Sequence, residues 1–393
     1  MARTFTKFVI VDPHVSHYKK ILSKYLKKEK NYFRYGAFLD YLLERDLLIL
    51  LNTKSASSFK RPLLRRFFLS KTFNTLEFYL WLKINKLNAD KIPIIYDLNE
   101  VNPQSTIVFD LAATWNPQKA KYLQDLENYD GIVAVHLTHY FRNTTNIFNT
   151  LPKLKHLFVV SEGTVTNTKI FKKFYSTPVQ EVCMPFVIDH LNTKFLESKI
   201  LPSNKRQKKC LMMGSHQKHG NDLILETYDT TFLHPDRAFF RFASEDLEYF
   251  EYEPKNISPT KSRRFKLISK YLRGEKLISL DLLYSKYQVF FTGVEIVGAP
   301  SMNVFEGMYF GCVYIGPDDS LHKNLGFIDK ENYISYKSGS FESFLYAVSS
   351  LLDSTSLIQK ISENGKNFVR SNFYAEKVYS EFIENLTQSK QAL

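Results

Sequence analysis

The sequence predicts an α/β chain built from two doubly wound, Rossmann-like domains, and three observations carry that reading. Short β-branched runs alternate with longer helical patterns, the pattern of parallel sheets crossed by helices. At 393 residues, the chain exceeds what one hydrophobic core usually serves. A polar, basic segment, Leu201-Pro-Ser-Asn-Lys-Arg-Gln-Lys-Lys209, holds turn formers without an apolar period and reads as a linker.

In the first half, strands are expected at Phe8–Val11, Leu47–Leu51, Ile92–Tyr96, Thr106–Phe109, Ile132–His136 and Leu157–Val160, each a short apolar run. Val182–Ile188 reads as a strand leaving this domain. The second series is Cys210–Met213, Phe239–Phe242, Gln288–Phe291, Val313–Ile315 and Tyr333–Ser335. Helices over Ser340–Leu352 and Leu357–Arg370 close it, with apolar residues at three- and four-residue intervals. The expected boundaries are 1–195, 196–375 and a closing helix or tail over 376–393. Two such domains are expected to place a ligand cleft between the carboxyl ends of their strands.

Composition narrows the function. Hydrophobic residues at 44% and charged residues at 24% mark a globular chain. The three cysteines, Cys183, Cys210 and Cys312, form no CxxC pair, which argues against a disulfide framework or a cysteine zinc site. No metal-ligand constellation stands out, and no cofactor is expected. Without a signal-peptide core or an apolar stretch of ~20 residues, a cytoplasmic location is expected.

The net charge of +13 is concentrated near the N-terminus. Tyr18–Lys30 holds six lysines and one acid, with Ile21, Leu22, Tyr25 and Leu26 on one helical face. Lys54–Lys86 carries eight basic residues against Glu77 alone, interleaved with aromatics that include Phe59, Phe67, Phe68, Tyr79 and Trp81. One reading is contact with an anionic membrane surface, which makes the protein peripheral on it. The other is a solvated helical face around a buried aromatic stripe. No nucleic-acid motif accompanies the charge, so a nucleic-acid partner is not expected.

Two glycine turns follow strands of the second half. In Gly214-Ser-His-Gln-Lys218-His-Gly220-Asn-Asp222, backbone N–H groups can approach an anion while Lys218 supplies charge. In Glu295-Ile-Val-Gly298-Ala-Pro300-Ser301-Met-Asn303-Val-Phe-Glu306, a turn opens a short helix. Amides from Gly298 to Asn303 suit a diphosphate, and Glu306 one turn on suits a ribose diol. Gly307 and Gly311 allow close packing behind it.

These residues resemble the nucleotide-binding domain of GT-B glycosyltransferases, specifically the large retaining family with two glutamates in that domain. Glu295-Ile-Val-Gly298-Ala-Pro300 is similar to its first glutamate motif and Glu306-Gly-Met308-Tyr-Phe-Gly311 to its second. Here ten residues separate the glutamates, as if Ser301-Met-Asn303 were inserted. Gly214 to Asp222, Asn332–Tyr336, Asn364-Gly365 and the crossing from Val160-Ser-Glu162 to Met184–Asp189 extend the likeness over about 156 to 385. The resemblance implies a GT-B fold with its active site in the cleft between the domains. It implies sugar transfer, with retention, from an NDP-sugar donor onto a glycan or glycolipid acceptor of a bacterial surface polysaccharide.

A second donor stays open. Glu162-Gly163 and His234-Pro235 resemble the acid–Gly and His-Pro motifs of GT-B enzymes that use CMP-activated acidic sugars such as Kdo or sialic acid. Otherwise His234 caps a helix or turn. A reading of another class, a non-catalytic glycan- or nucleic-acid-binding protein, also stays open. The donor-side residues are then Gly214, Lys218, His234, Arg237, Glu295, Gly298, Ser301, Asn303 and Glu306, with Arg263 and Arg264 as further cations. Candidates for acceptor chemistry are Glu162, His14 and Asp110, followed by His17, His136 and His139.

Overall fold

The computed structural model describes residues 7–11, 36–51, 78–83, 87–110, 126–137, 140, 144–189, 200–214, 222–252, 283–296 and 300–391. The chain divides into two compact units. One comprises Met1–His190 with Ala375–Leu393, the other Leu191–Tyr374.

The first unit holds a parallel seven-stranded sheet of order β3-β2-β1-β4-β5-β6-β7. Its strands are β1 Phe8–Val11, β2 Leu48–Leu51, β3 Ile94–Ile95, β4 Thr106–Asp110, β5 Val133–His136, β6 Leu157–Ser161 and β7 Gln180–Cys183. The central strands are uninterrupted apolar runs because helices cover both faces of such a sheet; β1 and β5 are buried at every position. The helices are α1 Gly36–Glu44, α2 Thr144–Thr150 and α3 Lys169–Phe174, the last capped by Thr168. Helical residues 78–83 bury Phe78, Trp81 and Leu82 in the core.

The second unit holds β8 Gln207–Met212, β9 Phe250–Tyr252, β10 Tyr287–Phe291, β11 Val313–Pro317 and β12 Ile334–Tyr336, parallel and in the order β12-β11-β10-β8-β9. Its helices are α4 Asp222–Tyr228, α5 Pro235–Ala243, α6 Met302–Tyr309, α7 Ser320–Asn324, α8 Phe341–Leu352 and α9 Thr355–Asn372. Ser340 and Ser354 cap α8 and α9 through their hydroxyls, each worth about 1 kcal/mol. Gly307 in α6 faces Phe290, whose ring a Cβ would meet at 2.4 Å, so the helix lies flush on the sheet.

The final helix, α10 Ala375–Gln391, belongs to the first unit. Tyr379 and Phe382 pack on Phe38 of α1 at ring distances of 4.9 and 5.6 Å. Ala375 N–H donates to Asp189 at 2.6 Å, and Arg45 meets Glu376 at 2.5 Å. No helix among the described residues is long and apolar enough to cross a membrane.

Three expectations are corrected. Phe239–Phe242 is helix, not strand: Pro235 sits in the first turn and Arg241 in the last, and the apolar run has helical sidedness, with Phe240 buried between exposed Phe239 and Phe242. The missing strand is β9. The basic segment is a linker only in its first part, since Gln207–Lys209 begins β8. Its Arg206 is buried and donates to the carbonyls of Leu201, Phe310 and Gly311 at 2.7–2.8 Å, which makes it an internal clasp. Finally, β7 ends at Cys183, just before Pro185, which lacks the N–H a ladder needs.

Candidate functional site

In the second sheet, β8 and β10 are neighbours while β9 leaves on the other side of β8, so the strand order reverses between them. Ligands of doubly wound folds bind outside the carboxyl ends at this point. Gly214 follows β8, and Thr292-Gly293 follows β10. Arg237 of α5, 4% exposed, fills the space between. Its Nη2 donates to Thr292 Oγ1 and to the Gly293 carbonyl, both at 2.8 Å. Gly214 has a φ of +93°, and a Cβ there would lie 2.5 Å from Arg237 Nη1. Only glycine serves both the backbone angle and the guanidinium.

His234 occupies the cap position of α5, yet its ring does not cap the helix. Nδ1 lies 3.0 Å from the Gly293 carbonyl, which can only accept, so Nδ1 carries the proton. Nε2 therefore presents its lone pair, 3.8 Å from Glu295 Oε1. Burial and then the Arg237 charge push the ring's pKa down to about 4, with Glu295 pulling the other way. The imidazole is neutral at physiological pH.

Ser301 stands at the cap of α6 with its Oγ 3.4 Å from Thr292 Oγ1. Asn303 and Glu306, three residues apart and both half-buried, share the outer face of α6, while Val304, Phe305, Gly307 and Met308 are buried. The structure thus gathers Gly214, His234, Arg237, Glu295 and Ser301 around Thr292 and Gly293. Lys218, Gly298, Arg263 and Arg264 lie outside the described residues.

Two neighbours escaped the sequence reading. Thr292 and Gly293 form the hub, and their signal was a Thr-Gly step ending an apolar strand. Below them, buried His322 ties Asp319 to Tyr314. Its Nδ1 lies 2.8 Å from Asp319 Oδ1 and its Nε2 3.2 Å from the Tyr314 hydroxyl. Burial opposes ionisation of Asp319, but the bonds from His322 outweigh it and hold the carboxyl below its usual range. Asp319 also caps α7 by accepting from the His322 N–H.

In the first unit, β4, β5 and β6 end at Asp110, His136 and Ser161. Glu162 follows, and its Oε1 lies 3.3 Å from His136 Nε2, with the two side chains 4% and 2% exposed. The loop is anchored from β7. Glu181 accepts from the N–H groups of Val165 and Thr166 and from the Thr166 hydroxyl, and it lies 2.6 Å from Ser161 Oγ. His14, His17, His139 and the Asp110 side chain lie outside the described residues.

No family model and no curated protein matches the chain by sequence. Solved structures do match its fold. A sucrose-phosphate synthase from Thermosynechococcus elongatus is 10% identical, with a TM-score of 0.52 over 99% of this chain and 100% of that one. HepE of Anabaena, solved with UDP and glucose, is 12% identical over 97% and 99%, with a TM-score of 0.49. A glycosyltransferase from Rickettsia africae is 13% identical over 99% and 98%, with a TM-score of 0.47. The chain has the GT-B fold of two Rossmann-like domains.

Proposed function

We propose that the protein is a glycosyltransferase that takes its sugar from a nucleoside diphosphate sugar. The observation that carries this is the buried Arg237 between the carboxyl ends of β8 and β10, beside a neutral His234 and the Ser301 end of α6. A fixed, desolvated cation at a sheet's switch point favours an anionic leaving group. Glu306 is assigned to the ribose diol, and Lys218, Gly298 and Asn303 to the diphosphate. Transfer breaks the bond between the anomeric carbon and the phosphate oxygen, joins that carbon to the acceptor oxygen and releases the nucleoside diphosphate. The acceptor proton is assigned to Glu162, with His14 and Asp110 as the other candidates for that chemistry.

The reading extends to retention of configuration, and to a growing bacterial surface glycan, such as lipopolysaccharide, O-antigen or capsule, as acceptor. It also includes an anionic membrane contact through Lys54–Lys86. Trp81 and Phe78 are core residues, so that contact rests on the cations and on exposed Tyr79 and Lys83. Replacing Lys60, Arg61, Arg65 and Arg66 with glutamine should release the protein from anionic vesicles at low salt. Wild-type protein that never sediments with them removes the membrane contact.

A thermal-shift series with UDP, GDP, dTDP, ADP and CMP tests the core of the reading. A nucleotide at about 100 times its Kd should stabilise the fold by about 2.7 kcal/mol. Glu306→Ala should weaken that binding by about 1.5–3 kcal/mol with the melt of the free protein unchanged. Stabilisation by CMP alone, lost in His234→Ala, replaces the NDP donor with a CMP-activated acidic sugar. No stabilisation by any nucleotide overturns the reading and leaves a binding protein.

A further inference from the structure

The segment from α4 to β9 inverts the charge of the rest of the chain. Residues 222–252 hold eight acids and two arginines in a protein of net charge +13. Both arginines are buried: Arg237 at Thr292 and Gly293, Arg241 over the Tyr252 ring at 5.0 Å. The outward charge of α5 and the turn after it is therefore acidic, with Glu245, Asp246 and Glu248 all exposed. Beside them stand Phe239 and Phe242, 57% and 60% exposed, three residues apart on the outer face of α5.

Phe239 meets Phe240 and Phe341 along one side, at ring distances of 6.0 and 6.1 Å, and the rest of its ring faces outward. Glu245 and Asp246 follow the carboxyl end of α5, where the helix dipole disfavours negative charge. Two phenylalanines left largely in water forgo burial worth about 1.5–3 kcal/mol each. An exposed apolar pair followed in the chain by an acidic turn has the makings of a docking surface. The sign repels anionic lipid and nucleic acid and selects a cationic, amphipathic partner.

The chain carries such a partner itself. Tyr18–Lys30, outside the described residues, has six lysines to one acid and, read as a helix, places Ile21, Leu22, Tyr25 and Leu26 on one side. We propose that the outer face of α5 with the Glu245–Glu248 turn docks the Tyr18–Lys30 segment of a second copy of this chain. The apolar side of that segment covers Phe239 and Phe242, and its lysines meet Glu245, Asp246 and Glu248. Different patches meet, so the contact is head-to-tail and builds a ring or a growing row of copies. It does not depend on the glycosyltransferase reading.

Sedimentation velocity of the full chain over a concentration series tests this. Wild type should self-associate at low salt and dissociate as salt rises. Glu245→Lys with Asp246→Lys and Glu248→Lys should weaken association by roughly tenfold or more, and Lys20→Glu with Lys24→Glu and Lys27→Glu should do the same. An equimolar mixture of the two variants should associate again, because the reversed face of one now fits the reversed segment of the other. Phe239→Ser with Phe242→Ser should remove the association at all salt concentrations, with the wild-type melt confirming that the fold survives. A wild type monomeric throughout, a reversed face that still associates, or a mixture that stays monomeric each overturns the proposal.

Discussion

Each unit pairs a histidine with a glutamate near the carboxyl ends of its strands, and the two pairs are built for different ends. His136 and Glu162 lie 3.3 Å apart with side chains 2% and 4% exposed, on a loop that Glu181 anchors from β7. His234 and Glu295 lie 3.8 Å apart with side chains 11% and 14% exposed, and the carbonyl that fixes the ring also accepts from Arg237. The first pair is closed off from solvent. The second turns a lone pair and a carboxylate, two acceptors, toward each other, an arrangement suited to receiving a donor group from a ligand. The residue types are the same, but His136 ends β5 whereas His234 caps α5, so placement, depth and neighbours decide the difference.

The largest expected effect is on the sealed pair. Glu162→Ala strips buried His136 of its carboxylate and should cost about 3–5 kcal/mol in denaturant unfolding. Glu162→Gln keeps shape and so separates stability from chemistry. With Glu162 as acceptor base, transfer should fall by a factor of about 100 or more while nucleotide-induced stabilisation is unchanged. Turnover that survives the glutamine leaves the pair as an anchor of the 161–166 loop and removes Glu162 from the catalytic set.

The second effect concerns pH and the open pair. Above pH 6.5 the His234 ring is neutral in both the folded and the unfolded chain. Between 6.5 and about 4 the unfolded chain binds a proton that the folded one refuses, because burial and Arg237 hold the folded pKa near 4. Stability should therefore fall with pH across that window, by about 3 kcal/mol in total. His234→Gln, which keeps a donor for the Gly293 carbonyl, should flatten the fall relative to wild type. Parallel stability–pH curves for variant and wild type would mean that the ring is not the group that titrates.

Much of this was legible in the sequence, and the failures have physical causes. The central strands of both sheets stood out because buried parallel strands are largely apolar, as in Phe8–Val11 and Tyr287–Phe291, whereas the edge strand β9, Phe-Glu-Tyr, did not. The Phe-Phe-Arg-Phe run of α5 misled because two of its phenylalanines face outward, and the lysines opening β8 misled because a strand that begins at the surface carries polar residues. Arg237 was legible as a cation and Gly214 as a turn. Their contact, and the bond from Arg237 to Thr292 55 residues on, comes only from strand order. Arg206 read as linker charge for the same reason: its acceptors, Phe310 and Gly311, lie 104 and 105 residues away.

The smallest expected effect sharpens the contrast most. Glu295 favours the protonated form of His234, against the burial and the Arg237 charge that dominate. Its side chain keeps solvent access and stands beyond hydrogen-bond reach of the ring, so the pair is worth little to the free protein. Glu295→Gln should change unfolding stability by less than about 1 kcal/mol and lower the His234 pKa further, which the ring's NMR titration reads directly. It should weaken donor-sugar binding more than nucleotide binding, because Glu295 would act on the sugar rather than on the diphosphate. A stability loss as large as that of Glu162→Ala would make the second pair structural like the first. Equal losses for sugar and nucleotide would move Glu295 away from the sugar while leaving Glu306 and Arg237 in place.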